Sequence, residues 1–251
     1  STGGELIIEA PYIGLSSIVD ILAPATGGVP TGTVTLRGQQ IDVAGAIRFD
    51  RSVKQATLDA TGDIRLIGVD SAGFLRISNP SAQPTLPTLK GAIGVNGDLL
   101  LKAGQIYPTT GSTFTVTSSA ANGTITIGRN GVDAPPIPYS AGGNLAIQAA
   151  NIVQAGVIRV PFGTLALGGN APRTSEVAGT PQVAPATQSV VLADGSITSV
   201  SAGGGARPPS HAPDEDDEFP MASQERTPQS GPSAIHDGLS FQDSGAAPAD
   251  R

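Results

Sequence analysis

The side chains most often used in catalysis are scarce in this chain. It contains no Cys and two His, His211 and His236. The absence of Cys excludes disulfides, zinc–thiolate sites and thiol catalysis. Both histidines lie in an acidic, Pro-rich stretch, whereas a catalytic or metal-binding imidazole needs rigid surroundings that orient it. We therefore expect both histidines to be solvated, without a catalytic or metal-binding role.

Three aspartates are the remaining candidates for acid–base chemistry. Asp63, Asp98 and Asp194 each adjoin a glycine at the expected edge of a strand. Aspartates clustered on one face of a sheet could bind Ca²⁺ or form an acid/base pair. Equivalent positions elsewhere hold Asn144 and Thr164, so the carboxylates do not recur in a row. The sequence therefore predicts turn-capping aspartates, no catalytic, cofactor-binding or metal-binding residue, and a protein that is not an enzyme.

Three other motifs have ordinary explanations. The acidic run from Asp214 to Glu218 could bind Ca²⁺ or a basic partner, but it lacks spaced ligands and is expected to be solvated. The tripeptide that begins at Asn122 fits the N-glycosylation pattern, and its Asn-Gly pair also predicts a turn. The glycine pairs at 142–143 and 168–169 lack the Lys-Ser/Thr and the helix of a phosphate-binding loop.

The charge of the chain lies near its C-terminal end. Residues 206–251 hold nine acids and three bases, which is −6 of the formal net charge of −7. The remainder is nearly neutral and has no basic stripe, so we expect no nucleic-acid partner. The longest apolar run is far below the ~20 residues of a membrane-spanning helix, and no signal-peptide pattern is present. A chain that begins with Ser is expected to be a fragment or a processed product.

Three short strings at a constant spacing predict β-strands. Residues 123–127, 143–147 and 163–167 each read Gly, polar, large apolar, small, large apolar, and they start 20 residues apart (143 − 123 and 163 − 143). The alternation is typical of a strand with one buried face. A repeat of this length suits one turn of a solenoid, which stacks on the next turn. This register predicts two interior rows, one of Ile125, Leu145 and Leu165, and one of Ile127, Ile147 and Leu167.

Glycines at shorter spacing predict the corners between strands. They recur every six or seven residues at Gly32, Gly38 and Gly45, and again at Gly97, Gly104 and Gly111. One such step accommodates one strand and one corner, and three steps make a coil of about 20 residues. The sequence therefore predicts an all-β fold, a triangular parallel β-helix.

The N-terminal part departs from this pattern. Residues from Glu5 to Glu9 read as an edge strand, and the stretch from Leu15 to Leu22 could form a short helix before Pro24. The sequence thus predicts a leading strand and an irregular segment over 1–30, and a β-solenoid over 31–204. Gaps in the glycine spacing predict loops that leave the corners at 50–60, 79–90, 133–140 and 170–186.

Residues 205–251 form an acidic segment rich in Pro and Ser. It shows no apolar alternation, so it cannot bury enough surface to offset its conformational entropy. We expect a disordered tail that is dispensable for folding.

Several repeat strings resemble the filamentous haemagglutinin family of large exoproteins. They are Ala-Gly-Gly-Asn-Leu and Gly-Thr-Leu-Ala-Leu-Gly-Gly within 141–169, Ala-Asp-Gly-Ser-Ile-Thr-Ser-Val-Ser-Ala at 193–202, and Ile-Asp-Val-Ala-Gly-Ala-Ile-Arg-Phe-Asp at 41–50. The resemblance implies a right-handed parallel β-helix, export through a two-partner outer-membrane transporter and a role at the cell surface. It implies no catalytic residue.

These observations favour a structural or adhesive β-solenoid segment of a secreted bacterial surface exoprotein. Its ligand would be a host or bacterial surface glycan or protein. A carbohydrate-binding or carbohydrate-active β-helix is the alternative, and a lateral groove with stacked aromatics and two carboxylates would support it. A further alternative is the stalk of a polymorphic toxin, which would require a folded C-terminal toxin domain.

Overall fold

The described part of the chain is all-β. The structure, a computed structural model, describes residues 3–17, 29–70, 89–131, 133, 135–174 and 183–202. These residues form nineteen strands, numbered in chain order, and no helix. No apolar helix of membrane-spanning length occurs among them. The predicted tail, with His211, His236 and the acidic run 214–218, lies outside the described residues.

Seven strands form one parallel sheet, here called the A sheet. Its neighbours are hydrogen-bonded in the order β1, β3, β5, β8, β11, β13, β18, and every pairing is parallel. The strands are β1 Glu5–Glu9, β3 Gly32–Gly38, β5 Val53–Ala60, β8 Asp98–Ala103, β11 Thr124–Arg129, β13 Asn151–Gln154 and β18 Ser189–Leu192.

A ten-stranded sheet has two arms that meet at β4 Gln40–Arg48. The B arm comprises β2 Tyr12–Ser17, the first part of β4, β6 Asp63–Ile67, β9 Gln105–Pro108, β14 Val157–Arg159 and β19 Ile197–Ser199. The C arm comprises the last part of β4, β7 Lys90–Val95, β10 Thr113–Ser118, β12 Asn144–Gln148 and β15 Thr164–Leu167. A separate antiparallel pair joins β16 Arg173–Thr174 and β17 Val183–Ala184.

The two arms diverge at a glycine. β4 pairs with β6 up to Ala44 and with β7 from Ala46 onward. Gly45 between them has a φ of +73°, and a Cβ there would overlap the carbonyl oxygen of Ser17. Only glycine accommodates both conditions, so Gly45 lets one strand serve two faces.

The chain visits the A sheet, the B arm and the C arm in turn. β5, β6 and β7 lie in A, B and C, and β8, β9 and β10 repeat that order. β13, β14 and β15 do so again, whereas the chain passes from β11 in A directly to β12 in C. Because no B strand intervenes there, β14 pairs with β9.

The core consists of apolar side chains aligned across paired strands. Alternate residues point inward, and parallel register places each beside its counterpart on the next strand. The A sheet contributes two such rows, buried in the middle and exposed at both ends. One row is Leu6, Val34, Ala56, Leu99, Ile125, Ile152 and Val190, and the other is Ile8, Leu36, Leu58, Leu101, Ile127, Gln154 and Leu192. The second row is apolar except for the buried Gln154, whose amide donates to the carbonyl of Ile197 at 3.0 Å.

The 20-residue register is confirmed for two of its three strings. β12 and β15 pair in the C arm, with Leu145 beside Leu165 and Ile147 beside Leu167. Leu145 and Ile147 are buried and the other two are half-buried against the core.

The register is wrong for Ile125 and Ile127. Both are fully buried, as predicted, but β11 lies in the A sheet between β8 and β13. Leu145 instead adjoins Phe114 of β10. The same Gly/apolar pattern occurs in strands of different sheets, so equal spacing along the sequence does not show that the strands lie in the same sheet.

The helix predicted from Leu15 to Leu22 is wrong at its start. β2 pairs in parallel with β4 from Tyr12 to Ser17, and its Ile13 is buried. These backbone hydrogen bonds and this burial outweigh local helix propensity. Residues 18–22 lie outside the described residues.

The loop predicted at 50–60 is also wrong from Val53 onward. β5 occupies 53–60 and lies between β3 and β8. Its buried residues are Val53, Ala56, Leu58 and Ala60. The strand alternation is hard to recognise in the sequence because two of the buried residues are small alanines and charged residues lie between them.

The other predicted loops are confirmed only in part. Residues 133 and 135–140 form no strand, as predicted, whereas 170–186 includes β16 and β17. Of 79–90, residues 79–88 lie outside the described residues and Lys90 begins β7.

Candidate functional site

Each central strand of the B arm presents a polar side chain outward directly after a buried isoleucine. Asp42 follows Ile41, Arg65 follows Ile64, and Tyr107 follows Ile106. The isoleucines are buried, so strand alternation directs the polar residue to the outer surface. Register places Arg65 beside both Asp42 and Tyr107. We call this outer surface the B strip; its members are Tyr12, Gln40, Asp42, Asp63, Arg65, Gln105, Tyr107 and Arg159.

The Asp42 carboxylate is the centre of the B strip. Arg65 donates to both of its oxygens, from Nε at 2.8 Å and from Nη2 at 2.6 Å. The Tyr12 hydroxyl donates at 3.0 Å and the Gln40 amide at 3.1 Å. Asp42 is only 5% exposed, and its buried charge is satisfied by four donors from three strands.

Charge stabilisation dominates the titration of Asp42. Burial raises its pKa, but the hydrogen bonds from Arg65, Gln40 and Tyr12 together outweigh burial, and the net pKa is lowered. The hydrogen bond to Asp42 in turn raises the pKa of Tyr12. The carboxylate is therefore ionised at neutral pH, and both of its oxygens are occupied by donors. Such a group fixes the strands and is poorly suited to proton transfer.

Tyr107 and Asp63 form the next part of the strip. Burial, followed by the nearby Asp63 carboxylate, raises the pKa of Tyr107 to about 12. Asp63 also accepts a long hydrogen bond, 3.4 Å, from the Gln105 amide. Tyr107 is thus protonated at neutral pH and can donate a hydrogen bond.

A Pro-rich segment covers the far end of the strip. Gln105 donates to the carbonyl of Pro136 at 3.2 Å, and Arg159 donates to the carbonyl of Pro135 and to Oε1 of Gln105. The segment lies in the stretch between β11 and β12, where the B arm has no strand. The open part of the strip therefore runs from Tyr12, 57% exposed, to Arg65, whose side chain is 37% exposed.

Two exposed aromatic rings flank a shallow hollow beside this segment. Tyr139 is fully exposed and Phe162 is 76% exposed. The hollow has a volume of about 490 Å³, and its lining includes Pro138, Pro161 and Ile137 and no charged residue. We call this feature the aromatic corner.

The backbone of the aromatic corner is firmly held. The Ser140 hydroxyl donates to the carbonyl of Pro108 at 2.6 Å, and the Phe162 amide donates to that of Val200 at 3.0 Å. Phe162 has a φ of +55°, a left-handed conformation that costs a bulky residue energy. The fold thus supports an exposed ring in an unfavourable conformation.

The predicted aspartates are not brought together. Asp63 joins the B strip, whereas Asp98 begins β8 of the A sheet and accepts the amide of Thr124 at 2.9 Å. Asp194 is exposed in the turn before Gly195, whose φ is +75°. Among the described residues, no group of three or more His, Asp or Glu side chains could hold a metal ion.

The other predicted motifs lie at turns and corners. Asn122 is exposed in a turn. Gly142 and Gly168 have φ values of +67° and +77°, the left-handed conformation expected of glycines at corners between strands. Neither glycine pair is followed by a helix, as expected for corners.

Most residues of the B strip were not predicted from the sequence. Asp42, Arg65, Tyr107 and Arg159 are separated by 23 to 52 residues along the chain (65 − 42 and 159 − 107). A signal existed, because each follows an isoleucine in a short apolar run. Aligning strands on that isoleucine would have placed them in one row.

Comparisons with protein-family models, curated proteins and solved structures found no match to this chain. The function is therefore inferred from the order of the strands, the B strip and the aromatic corner. The haemagglutinin-like repeat strings remain a resemblance of sequence.

Proposed function

We propose that residues 31–204 form a right-handed parallel β-solenoid that serves as a structural or adhesive segment of a secreted bacterial surface exoprotein, without catalysis. The observation that carries the proposal is the recurrent order of A, B and C strands with parallel register across each pairing. Seven A strands at a spacing of about 4.8 Å would span about 29 Å. Such a stack presents continuous lateral surfaces.

The chemistry of the B strip supports a binding or structural role. Asp42 is ionised and held by four donors, and Tyr107 keeps its proton at neutral pH. A general acid or base works best with a pKa near the operating pH, and neither group has one. Placement at the cell surface and export through a two-partner outer-membrane transporter follow from the resemblance and belong to the same proposal.

Carbohydrate binding is the second candidate, and specific observations favour it. The B strip holds two tyrosines and two carboxylates on one lateral face, Tyr12, Tyr107, Asp42 and Asp63. The aromatic corner adds two exposed rings. Aromatic faces with polar side chains beside them are suited to the apolar and hydroxyl faces of sugars.

Binding and turnover of glycans by the full chain test both candidates. We expect the fluorescently labelled chain to bind bacterial or epithelial cells. Binding should fall at least tenfold when Tyr139 and Phe162 are both replaced by Ser. Val183→Ser, which changes an exposed residue of β17, is the matched control. Cell binding that is blocked by an isolated glycan would favour the carbohydrate candidate.

A reducing-sugar assay tests the absence of catalysis. We expect no glycan cleavage by the purified chain. Cleavage that disappears in Asp63→Asn would overturn the non-catalytic proposal.

A further inference from the structure

The two outer strands of the A sheet leave apolar side chains exposed at opposite edges. Among the described residues β1 pairs only with β3, and its Leu6, Ile7 and Ile8 are 51%, 47% and 42% exposed. β18 pairs only with β13 among the described residues, and its three apolar residues are similarly exposed: Val190 43%, Val191 50% and Leu192 60%. Neither strand contains Pro or Lys, residues that commonly protect an edge from pairing.

Backbone hydrogen bonds show which groups each edge leaves open. In β1, the carbonyl of Gly4 and the amide of Ala10 both bond to the β3 side. Because parallel strands alternate the direction of their backbone groups, the even-numbered residues face β3. The amides and carbonyls of Glu5, Ile7 and Glu9 therefore face the open edge.

The same alternation applies at β18. The amides of Ser189 and Ala193 donate to carbonyls on the β13 side, those of Ala150 and Gln154. The odd-numbered residues therefore face β13, and the backbone groups of Val190 and Leu192 face outward.

We infer that this chain associates head to tail, with β18 of one copy pairing in parallel with β1 of the next. Leu6 of the second copy lies on Val190 and Ile8 on Leu192, so both inward-facing rows of the A sheet continue across the junction. In this register the amides of Ile7 and Glu9 donate to the carbonyls of Val190 and Leu192, and the Leu192 amide donates to the Ile7 carbonyl.

The B arm extends the junction. β2 pairs only with β4, and β19 pairs only with β14 among the described residues. Each end therefore offers two adjoining open edges, β1 with β2 and β18 with β19. Stacking the ends would place Ile13 of one copy beside Thr198 of the other.

Charge favours this arrangement over a symmetric one. Head to tail, Glu5 lies opposite Ser189 and Glu9 opposite Ala193, so no like charges meet. An antiparallel pair of β1 strands centred on Ile7 would place Glu5 opposite Glu9 twice, and like charges directly opposite each other are destabilising. A head-to-tail contact is heterologous, so it forms open chains of copies unless it closes into a ring.

Two proline variants test the junction in the full chain. Ile7→Pro and Leu192→Pro each remove an amide that faces an open edge, and proline is tolerated at such positions. By sedimentation velocity, the unaltered chain should form species beyond a dimer as concentration rises. Each variant alone should remain monomeric. An equimolar mixture should form dimers through β18 of the Ile7→Pro copy and β1 of the Leu192→Pro copy, and these dimers should grow no further because both of their outer edges carry a proline.

The outcomes separate the possible contacts. Self-association of Leu192→Pro alone would show pairing of β1 with β1, and self-association of Ile7→Pro alone would show pairing of β18 with β18. Either result overturns the inference. A monomeric mixture, or an unaltered chain that is monomeric at every concentration, overturns it as well.

A charge pair gives an independent test if a proline variant fails to fold by circular dichroism. Ile7 and Val191 are neighbours across the proposed junction and point outward. Ile7→Lys with Val191→Lys should abolish assembly, whereas Ile7→Lys with Val191→Glu should retain it. Val183→Lys, which changes an exposed residue of β17 that is in neither β1 nor β18, is the control. Equal assembly by both double variants would overturn the inference.

Discussion

Replacing Arg65 with Met isolates the contribution of the Asp42 cluster to stability. The change removes two of the four donors to Asp42 and keeps most of the aliphatic stem. Asp42, whose side chain is 7% exposed, would keep only Tyr12 and Gln40 as donors. Removing one partner of a fully buried pair costs about 3–5 kcal/mol. Because Arg65 is 37% exposed, we expect about 2 kcal/mol.

Urea unfolding at neutral pH measures this effect, and Arg37→Met is its matched control. Arg37 also joins a carboxylate on the adjacent strand, that of Glu9 at 2.9 Å, but the two side chains are 52% and 62% exposed. An exposed pair contributes at most about 1 kcal/mol. The free energy of unfolding should therefore fall clearly more for Arg65→Met than for Arg37→Met.

The pH dependence provides a second readout. The pKa of Asp42 is lowered in the folded state, so the stability it contributes is present above its unfolded pKa of about 3.9 and is lost as pH falls through the lower folded value. The difference between the unaltered chain and Arg65→Met should therefore shrink below about pH 4. Equal costs for the two arginine variants, or a difference that is constant down to strongly acidic pH, would refute this reasoning.

Three further predictions concern the core, the corners and the buried tyrosine. Phe114→Ala should cost about 3–5 kcal/mol of unfolding free energy because Phe114 is fully buried, whereas Phe162→Ala should change it by less than about 0.5 kcal/mol or stabilise it slightly. Gly163→Ala should cost about 2 kcal/mol or more, since its Cβ would overlap the carbonyl oxygen of Gly143, just before β12. Gly4→Ala, whose Cβ would contact no other atom, is the control, and equal thermal melts of the two variants would contradict the prediction. The raised pKa of Tyr107 means that its stability contribution is lost as pH rises from about 10 towards about 12, so Tyr107→Phe should flatten that decline in urea midpoints.

Local patterns predicted many strands because alternation acts within one strand. Residues from Glu5 to Glu9 form β1 as predicted, and glycines 97 and 104 come directly before β8 and β9. Where the pattern was weaker, local reasoning failed. Residues 50–60 were predicted as a loop because they interrupt the glycine spacing and are rich in charge, yet Val53–Ala60 forms β5, whose Ala56 and Ala60 are fully buried in the A sheet.

The candidate site was less accessible to sequence analysis than the strands. Asp63 was identified as a candidate, but its neighbours Gln105 and Tyr107 were not, because they come more than 40 residues later in the chain. The aromatic corner depends on Tyr139 and Phe162, which two different segments bring to one hollow. No local sequence pattern predicts that these two segments line the same hollow.

The sequence by itself determined the all-β character, the alternation of buried and exposed side chains and the glycine corners. These features depend on the backbone geometry of single strands, which nearby residues control. Tertiary structure decided which strands pair: it placed β11 in the A sheet and β12 in the C arm, although their sequences share one pattern. It also assembled Tyr12, Asp42 and Arg65 into one hydrogen-bonded cluster, because parallel register joins residues that are distant in the chain.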